Sequence, residues 1–216
     1  MKDDILKHVD HTLLAAYATS ADILRVCGEA EEHGTASACI PPSYVKLAKE
    51  RFPKLNVCTV IGFPLGYSST NAKLAETEDA LRDGCNEFDM VINIAWAKNG
   101  EFGRITDEIA ALRKAVGGKT LKVIIETCYL NEEEKIALCK CVTEGGADYI
   151  KTSTGFGTSG AALADVALFK KHIGGGVKIK ASGGIRTIED TEAFLSAGCD
   201  RIGTSGAITA LTNGAI

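Results

Sequence analysis

Apolar residues recur along this chain in two rhythms. Short runs rich in β-branched residues occupy positions 11–14, 36–40, 56–62, 87–93, 121–127, 148–154, 177–183 and 200–205. Between them lie longer stretches in which apolar residues return every three or four positions, the period of a helix packed on one side. Ile23, Leu24, Val26, Cys27 and Ala30 follow a Thr19-Ser20 cap. Phe102, Ile105, Ile109, Leu112 and Val116 mark a second helix. Asn131, ahead of Glu132, Glu133 and Glu134, marks the start of a third, where the helix dipole favours negative charge. Leu163, Val166, Leu168 and Phe169 form another apolar face before Gly174-Gly175-Gly176. A further helix opens at Thr187, Glu189 and Asp190, carries Phe194 and Leu195, and stops at Gly198.

Eight strand-like runs in 216 residues leave roughly 27 residues for each, enough for a strand, a helix and two loops. Regular alternation of this kind predicts the α/β class and a parallel sheet. Eight units in so short a chain predict a closed (β/α)8 barrel, the TIM-barrel architecture, rather than an open doubly wound sheet. No linker, repeat or charge block divides the chain, so residues 1–216 are expected to form a single domain.

Both faces of a barrel strand are covered, so charge inside such a run is costly unless it is paired or lies at an open end. Four runs carry it. Asp89 shares a face with Val91, Lys122 with Ile124 and Glu126, and Lys180 with Lys178 and Ser182, while Lys151 precedes Thr152-Ser153-Thr154-Gly155. Lys151 and Lys180 fall on the sixth and seventh strands, which are neighbours in a barrel. Two ammonium groups held close repel, which favours the neutral amine on one of them. A neutral lysine amine attacks carbonyl carbon, and Asp89 could then move protons, directly or through water. The competing reading is an internal ion-pair network of Asp89, Lys122, Glu126, Lys151 and Lys180 with a purely structural purpose.

The last two runs end in small polar loops, Gly183-Gly184-Ile185-Arg186-Thr187 and Gly203-Thr204-Ser205-Gly206, each leading toward a helix. In (β/α)8 barrels these two loops often hold a phosphate group with a helix N-terminus. Gly155, Gly183, Gly184, Arg186, Gly203 and Ser205 are therefore the candidate phosphate-binding residues.

Composition narrows the field. The net charge of −4 gives no electrostatic reason to bind nucleic acid or an anionic membrane. No apolar run reaches the roughly 18 residues needed to cross a bilayer, and the charged start shows no secretory signal. The eight cysteines sit mostly in apolar segments without a Cys-x-x-Cys pair, which reads as reduced thiols in a cytoplasmic protein. His8 and His11 flank Asp10, but no further ligand joins them at metal-site spacing, so no metal is expected. Nucleotide-loop fingerprints are absent.

The runs His-Val-Asp-His-Thr-Leu-Leu, Phe-Asp-Met-Val-Ile-Asn, Leu-Lys-Val-Ile-Ile-Glu-Thr, Asp-Tyr-Ile-Lys-Thr-Ser-Thr-Gly-Phe, Lys-Ala-Ser-Gly-Gly-Ile-Arg-Thr and Arg-Ile-Gly-Thr-Ser occur in order over nearly the whole chain. In these the sequence resembles the deoxyribose-phosphate aldolases. The resemblance implies a (β/α)8 barrel and a class I aldolase that needs neither metal nor cofactor. It implies the interconversion of 2-deoxy-D-ribose 5-phosphate with D-glyceraldehyde 3-phosphate and acetaldehyde. By motif, it makes Lys151 the Schiff-base residue, Lys180 its activating neighbour and Asp89 the proton relay. Lys122 and Asp10 take supporting roles. A small phosphosugar is then the expected partner, with a homo-oligomeric state, dimer or tetramer, left open. Longer members carry a C-terminal tail ending in tyrosine, whereas this sequence stops at Thr-Asn-Gly-Ala-Ile and offers no such residue.

Overall fold

A computed structural model describes residues 5–213, and the side chains of residues 5–210. The end of the chain, where a tail tyrosine was sought, lies outside the described residues. Eight parallel strands, β1 (Val9–Thr12), β2 (Ser37–Cys39), β3 (Val57–Ile61), β4 (Glu87–Val91), β5 (Thr120–Ile124), β6 (Tyr149–Lys151), β7 (Lys178–Ser182) and β8 (Arg201–Thr204), pair in chain order. β8 returns to β1 and closes the barrel. The helices α1 (Ser20–His33), α2 (Val45–Arg51), α3 (Thr70–Arg82), α4 (Ile94–Lys98), α5 (Phe102–Val116), α6 (Glu132–Glu144), α7 (Leu163–His172), α8 (Ile188–Ala197) and α9 (Ala207–Asn213) lie in the connections. This is the expected α/β architecture, a (β/α)8 barrel.

The apolar core is a shell between barrel wall and helices rather than a plug inside the barrel. Phe88 and Met90 of β4, Val123 of β5 and Ile179 of β7 meet Ile105, Ile109 and Phe169 of the helices in one continuous cluster. Burying each large side chain there is worth about 1.5–3 kcal/mol. Because side chains alternate across a strand, the residues between these point inward. That leaves Asp10, Glu87, Asp89, Lys122, Lys151 and Lys180 facing the barrel axis, all of them buried.

The five helices read from the pattern are present, three of them with the side-chain caps their sequences offered. Thr19, Asn131 and Thr187 each accept a bond from the backbone three residues on, and Asp22, Glu134 and Asp190 return it. Gly198 ends α8 at φ 109°, a conformation glycine adopts without strain. The first strand lies two residues earlier than its apolar run suggested, at Val9–Thr12 instead of 11–14. Its polar members explain the offset. Asp10 faces the axis, and His11 faces out to bond Glu29 on α1 at 2.8 Å, so no apolar alternation marks the strand.

Helix α3 has a similar disguise. Its buried face consists of Lys73, Thr77 and Ala80. The Lys73 ammonium is fully buried, donates to Glu108 Oε2 of α5 at 2.8 Å and to the carbonyl of Val91 at 2.8 Å. Burial pulls its pKa down against the opposing pull of Glu108. The pair pins two helices to the end of β4. Removing one partner leaves an uncompensated buried charge, so Lys73→Met should cost about 3–5 kcal/mol in denaturant unfolding. Lys73→Met/Glu108→Leu should recover most of that loss. A single variant within about 1 kcal/mol of wild type would show that the pair does not hold the helices.

Candidate active site

Strand register places the inward charges at one level. Asp89 stands beside Lys122 across β4–β5, and Lys151 beside Lys180 across β6–β7. Asp10 on β1 has Ser37 on one side and Gly203 on the other. Gly203 lets Lys180 in: a Cβ built there would lie 2.9 Å from Ser182 Cβ and 3.2 Å from Lys180 Cε.

These side chains form a closed ring of alternating charge. Arg201 Nη1 reaches Asp10 Oδ1 at 2.5 Å and Glu87 Oε2 at 3.1 Å. Glu87 Oε2 accepts from Lys122 Nζ at 2.6 Å, and Lys122 donates to Asp89 Oδ1 at 2.8 Å. Lys180 Nζ then joins Asp89 Oδ2, at 2.7 Å, to Asp10 Oδ2 and closes the circuit. Three carboxylates and three cations balance. Lys151 stands outside the ring, donating at 2.7 Å to Asp89 Oδ2, the same oxygen that Lys180 uses. The two ammonium nitrogens are therefore no farther apart than twice that distance. Their side chains face the same interior, as the sequence reading required.

Burial alone would raise the carboxyl of Asp89, but Lys122, Lys151 and Lys180 outweigh it and hold Asp89 well below the ordinary carboxylate range. Asp10 is likewise held low against its burial by Lys180, Lys122 and Arg201. Lys180 is pushed up, because Asp10 and Asp89 exceed the burial that opposes them. Lys122 goes the same way, its burial offset by Asp89, Cys58, Asp10 and Glu87. The four shifts all favour the charged forms of Asp10, Asp89, Lys122 and Lys180.

Above Lys151 a cavity of about 560 Å³ opens at the C-terminal ends of the strands. Gly155, Gly183, Gly184, Arg186, Gly203 and Ser205 all line it, and among the described residues Lys151 is its one lysine. Lys180, Asp89, Lys122 and Asp10 lie beneath, fully buried. The glycine loops are fitted to each other. Gly183 sits at φ 85°, and a Cβ there would lie 3.0 Å from Gly160 Cα and 3.4 Å from Gly155 Cα. The N-terminus of α8 is already capped by Thr187 and Asp190, and Asp190 also accepts from the backbone of Arg186 at 3.3 Å. The loop backbones, Ser205 and Arg186 line the cavity together with Thr12, Tyr17, Thr154 and Thr204.

Glu126 leaves the network in which the sequence pattern placed it. β5 ends at Ile124, and Glu126 turns away at φ 55° to accept from the backbone of Thr154 at 3.1 Å and from its hydroxyl. It staples the loop that carries Gly155. Glu87 and Arg201 take its place in the ring. Both were legible by parity, two positions from Asp89 and Gly203, yet each stands at a strand start where charge is unremarkable. The segment from Thr12 to Tyr17 also lines the cavity, a place the sequence reading did not assign to it.

Among the described residues, Cys39–Cys58–Asp89 and Asp10–Cys58–Glu87 lie close enough to share a metal ion. Their carboxylates already face lysine or arginine, and Lys122 stands 3.3 Å from Cys58 Sγ, so a divalent cation there would meet ammonium charge directly. All eight cysteines are free thiols. No helix among the described residues is long and apolar enough to cross a membrane.

Residues 5–213 match the family profile described as DeoC/LacD family aldolase. The chain is 63% identical over 206 residues to the deoxyribose-phosphate aldolase of Clostridium botulinum (strain Alaska E43 / Type E3), covering 95% of this chain and 93% of that one. Identity to the deoxyribose-phosphate aldolase of Clostridioides difficile (strain 630) is 54% over 210 residues, covering 97% and 96%. The tetrameric deoxyribose phosphate aldolase structure from Aeropyrum pernix superimposes with a TM-score of 0.92 at 31% identity, covering 100% of this chain and 92% of that one. With the barrel, the inward lysines and this agreement over nearly its full length, the chain belongs to the DeoC/LacD family of aldolases.

Proposed function

We propose that this chain reversibly cleaves 2-deoxy-D-ribose 5-phosphate to D-glyceraldehyde 3-phosphate and acetaldehyde through an imine on Lys151. The names of its relatives support the substrate. The single observation that carries the mechanism is that the ion-pair ring is electroneutral without Lys151, the one lysine that lines the cavity. Lys122 and Lys180 are committed to carboxylates. Lys151 has only a share of Asp89 Oδ2, so it is the amine that can lose its proton without unbalancing buried charge.

The steps follow from this placement. The Lys151 amine adds to the C1 aldehyde carbon, and loss of water leaves a protonated imine that draws electrons from the adjacent bond. Asp89, assisted by Lys180 and a water, accepts the proton of the C3 hydroxyl. Acetaldehyde keeps two carbons and glyceraldehyde 3-phosphate three, so the C2–C3 bond breaks and its electron pair forms an enamine on Lys151. Protonation at C2 and hydrolysis release acetaldehyde and restore the amine. Lys122 and Asp10 fix the positions of Asp89 and Lys180. Gly155, Gly183, Gly184, Arg186, Gly203 and Ser205 hold the phosphate, which sets C1 against Lys151 and turns binding into orientation. The imine serves as the electron sink, so the reaction needs no metal or cofactor. The reading takes the barrel as one catalytic domain, and the free buried thiols support a cytoplasmic place for it.

A coupled assay for acetaldehyde release tests the reading. Wild type should turn over 2-deoxy-D-ribose 5-phosphate equally with and without a chelator. Lys151→Ala should lose on the order of 1,000-fold or more in kcat. Retained turnover in Lys151→Ala, or loss on chelation, would contradict it. Arg186→Ala and Ser205→Ala should raise KM for the phosphorylated sugar about 10-fold while leaving turnover of 2-deoxy-D-ribose unchanged. An equal loss on both sugars would place the phosphate elsewhere.

A further inference from the structure

Arg201 contributes to the site without reaching the cavity. Its Nη1 bridges Asp10 Oδ1 and Glu87 Oε2, and among the described residues these ion pairs join the two halves of the ring alongside Asp89 and the long 3.7 Å approach of Lys122 to Asp10. One half runs from Asp10 to Lys180, the other from Glu87 through Lys122, and both end on Asp89. The guanidinium is mostly buried and lies 5.6 Å from the ring of Tyr149. Ser37 Oγ donates to the same Asp10 oxygen at 2.7 Å, which fixes that carboxylate from a second side.

We propose that Arg201 is a positioning residue for the reaction at Lys151, closing the ring through Asp10 and Glu87 and so setting the buried charge against which Lys151 works. The inference rests on Lys151 being the reacting amine. Arg201 touches neither Lys151 nor the cavity, and it acts through two routes of equal length that converge on Asp89, through Lys180 on Oδ2 and through Lys122 on Oδ1. The account is one of charge as well as geometry. With Arg201 the ring is neutral. Without it the ring carries one negative charge in excess, which favours a proton kept on Lys151. Without the Glu87 charge the ring carries one positive charge in excess, which favours its release.

All eight strands supply the groups that bear on this balance. Lys151 faces Asp89 of β4 and Lys180 of β7, with the Cys39 thiol of β2 within its electrostatic reach. Cys58 of β3 donates to Asp89 Oδ1 at 3.2 Å beside Lys122 of β5. Arg201 of β8 faces Asp10 of β1, Glu87 of β4 and Tyr149 of β6, and Lys178 of β7 lies over the same tyrosine ring at 5.7 Å.

The test is the acidic limb of kcat/KM against pH for cleavage of 2-deoxy-D-ribose 5-phosphate in wild type, Arg201→Met, Glu87→Gln, Arg201→Met/Glu87→Gln and Arg201→Lys. The free substrate is common to all five, so differences belong to the protein. Arg201→Met should move the limb up by about half a pH unit or more, and Glu87→Gln should move it down by a similar amount. The double variant should return toward wild type, and Arg201→Lys, which keeps the charge, should stay near it. A merely structural role would lower activity without opposite shifts. Shifts of the same sign, or an unmoved limb in Glu87→Gln, overturn the proposal. If Arg201→Met does not fold, Glu87→Gln against Arg201→Lys decides by the same criterion. A wild-type protein that releases no acetaldehyde overturns the underlying reading, and this inference with it. Turnover with unshifted limbs overturns this inference alone.

Discussion

Charged side chains crowded inside a barrel are costly unless their charges cancel at close range. Each carboxylate moved from water into such an interior costs several kcal/mol, and only an opposite charge with good geometry offsets that cost. Here the cancellation is cyclic. Asp10, Glu87 and Asp89 each lie between two cations, and Lys122, Lys180 and Arg201 each lie between two carboxylates. A cycle has no end at which a charge is left over. The seventh ionisable group, Lys151, is left over by construction, and it is the one that reaches the cavity.

The fold makes this arrangement affordable by keeping its hydrophobic stabilisation elsewhere. The apolar shell between strands and helices holds the barrel together, so its inner face is released from packing duty. Parallel strands in chain order then set the levels. Lys151 ends β6 and Lys180 lies two residues before the end of β7, just below the loops that carry Gly155 and Gly183. Inward charges and cavity loops are thus separate layers of the same barrel. Glu126 and Gly160 brace the loop layer from outside the ring, so the loops can be rigid without adding charge below.

Much of this was written in the sequence. Eight alternations in 216 residues gave the barrel, and helical periods, three of them opened by caps at Thr19, Asn131 and Thr187, gave five helices. The inward-facing charges stood out because lysine and aspartate break otherwise apolar strands. What stayed hidden was hidden by pairing. Lys73 reads as a surface lysine, but Glu108, distant in sequence, makes it a core residue. Arg201 and Glu87 read as ordinary charges at strand starts, and only closure of the barrel brings them together. Glu126 was misplaced because alternation was carried past the end of β5, where the backbone turns left-handed. Long-range partners decide these cases, and a local pattern does not contain them.

The account stands or falls on which nitrogen becomes covalently bound. Incubation with acetaldehyde and sodium borohydride, followed by peptide mapping, identifies it directly. The account predicts one reduced ethyl adduct, on Lys151, with Lys122 and Lys180 unmodified. An adduct on either of those two lysines, or none at all in a protein that turns over, would contradict it.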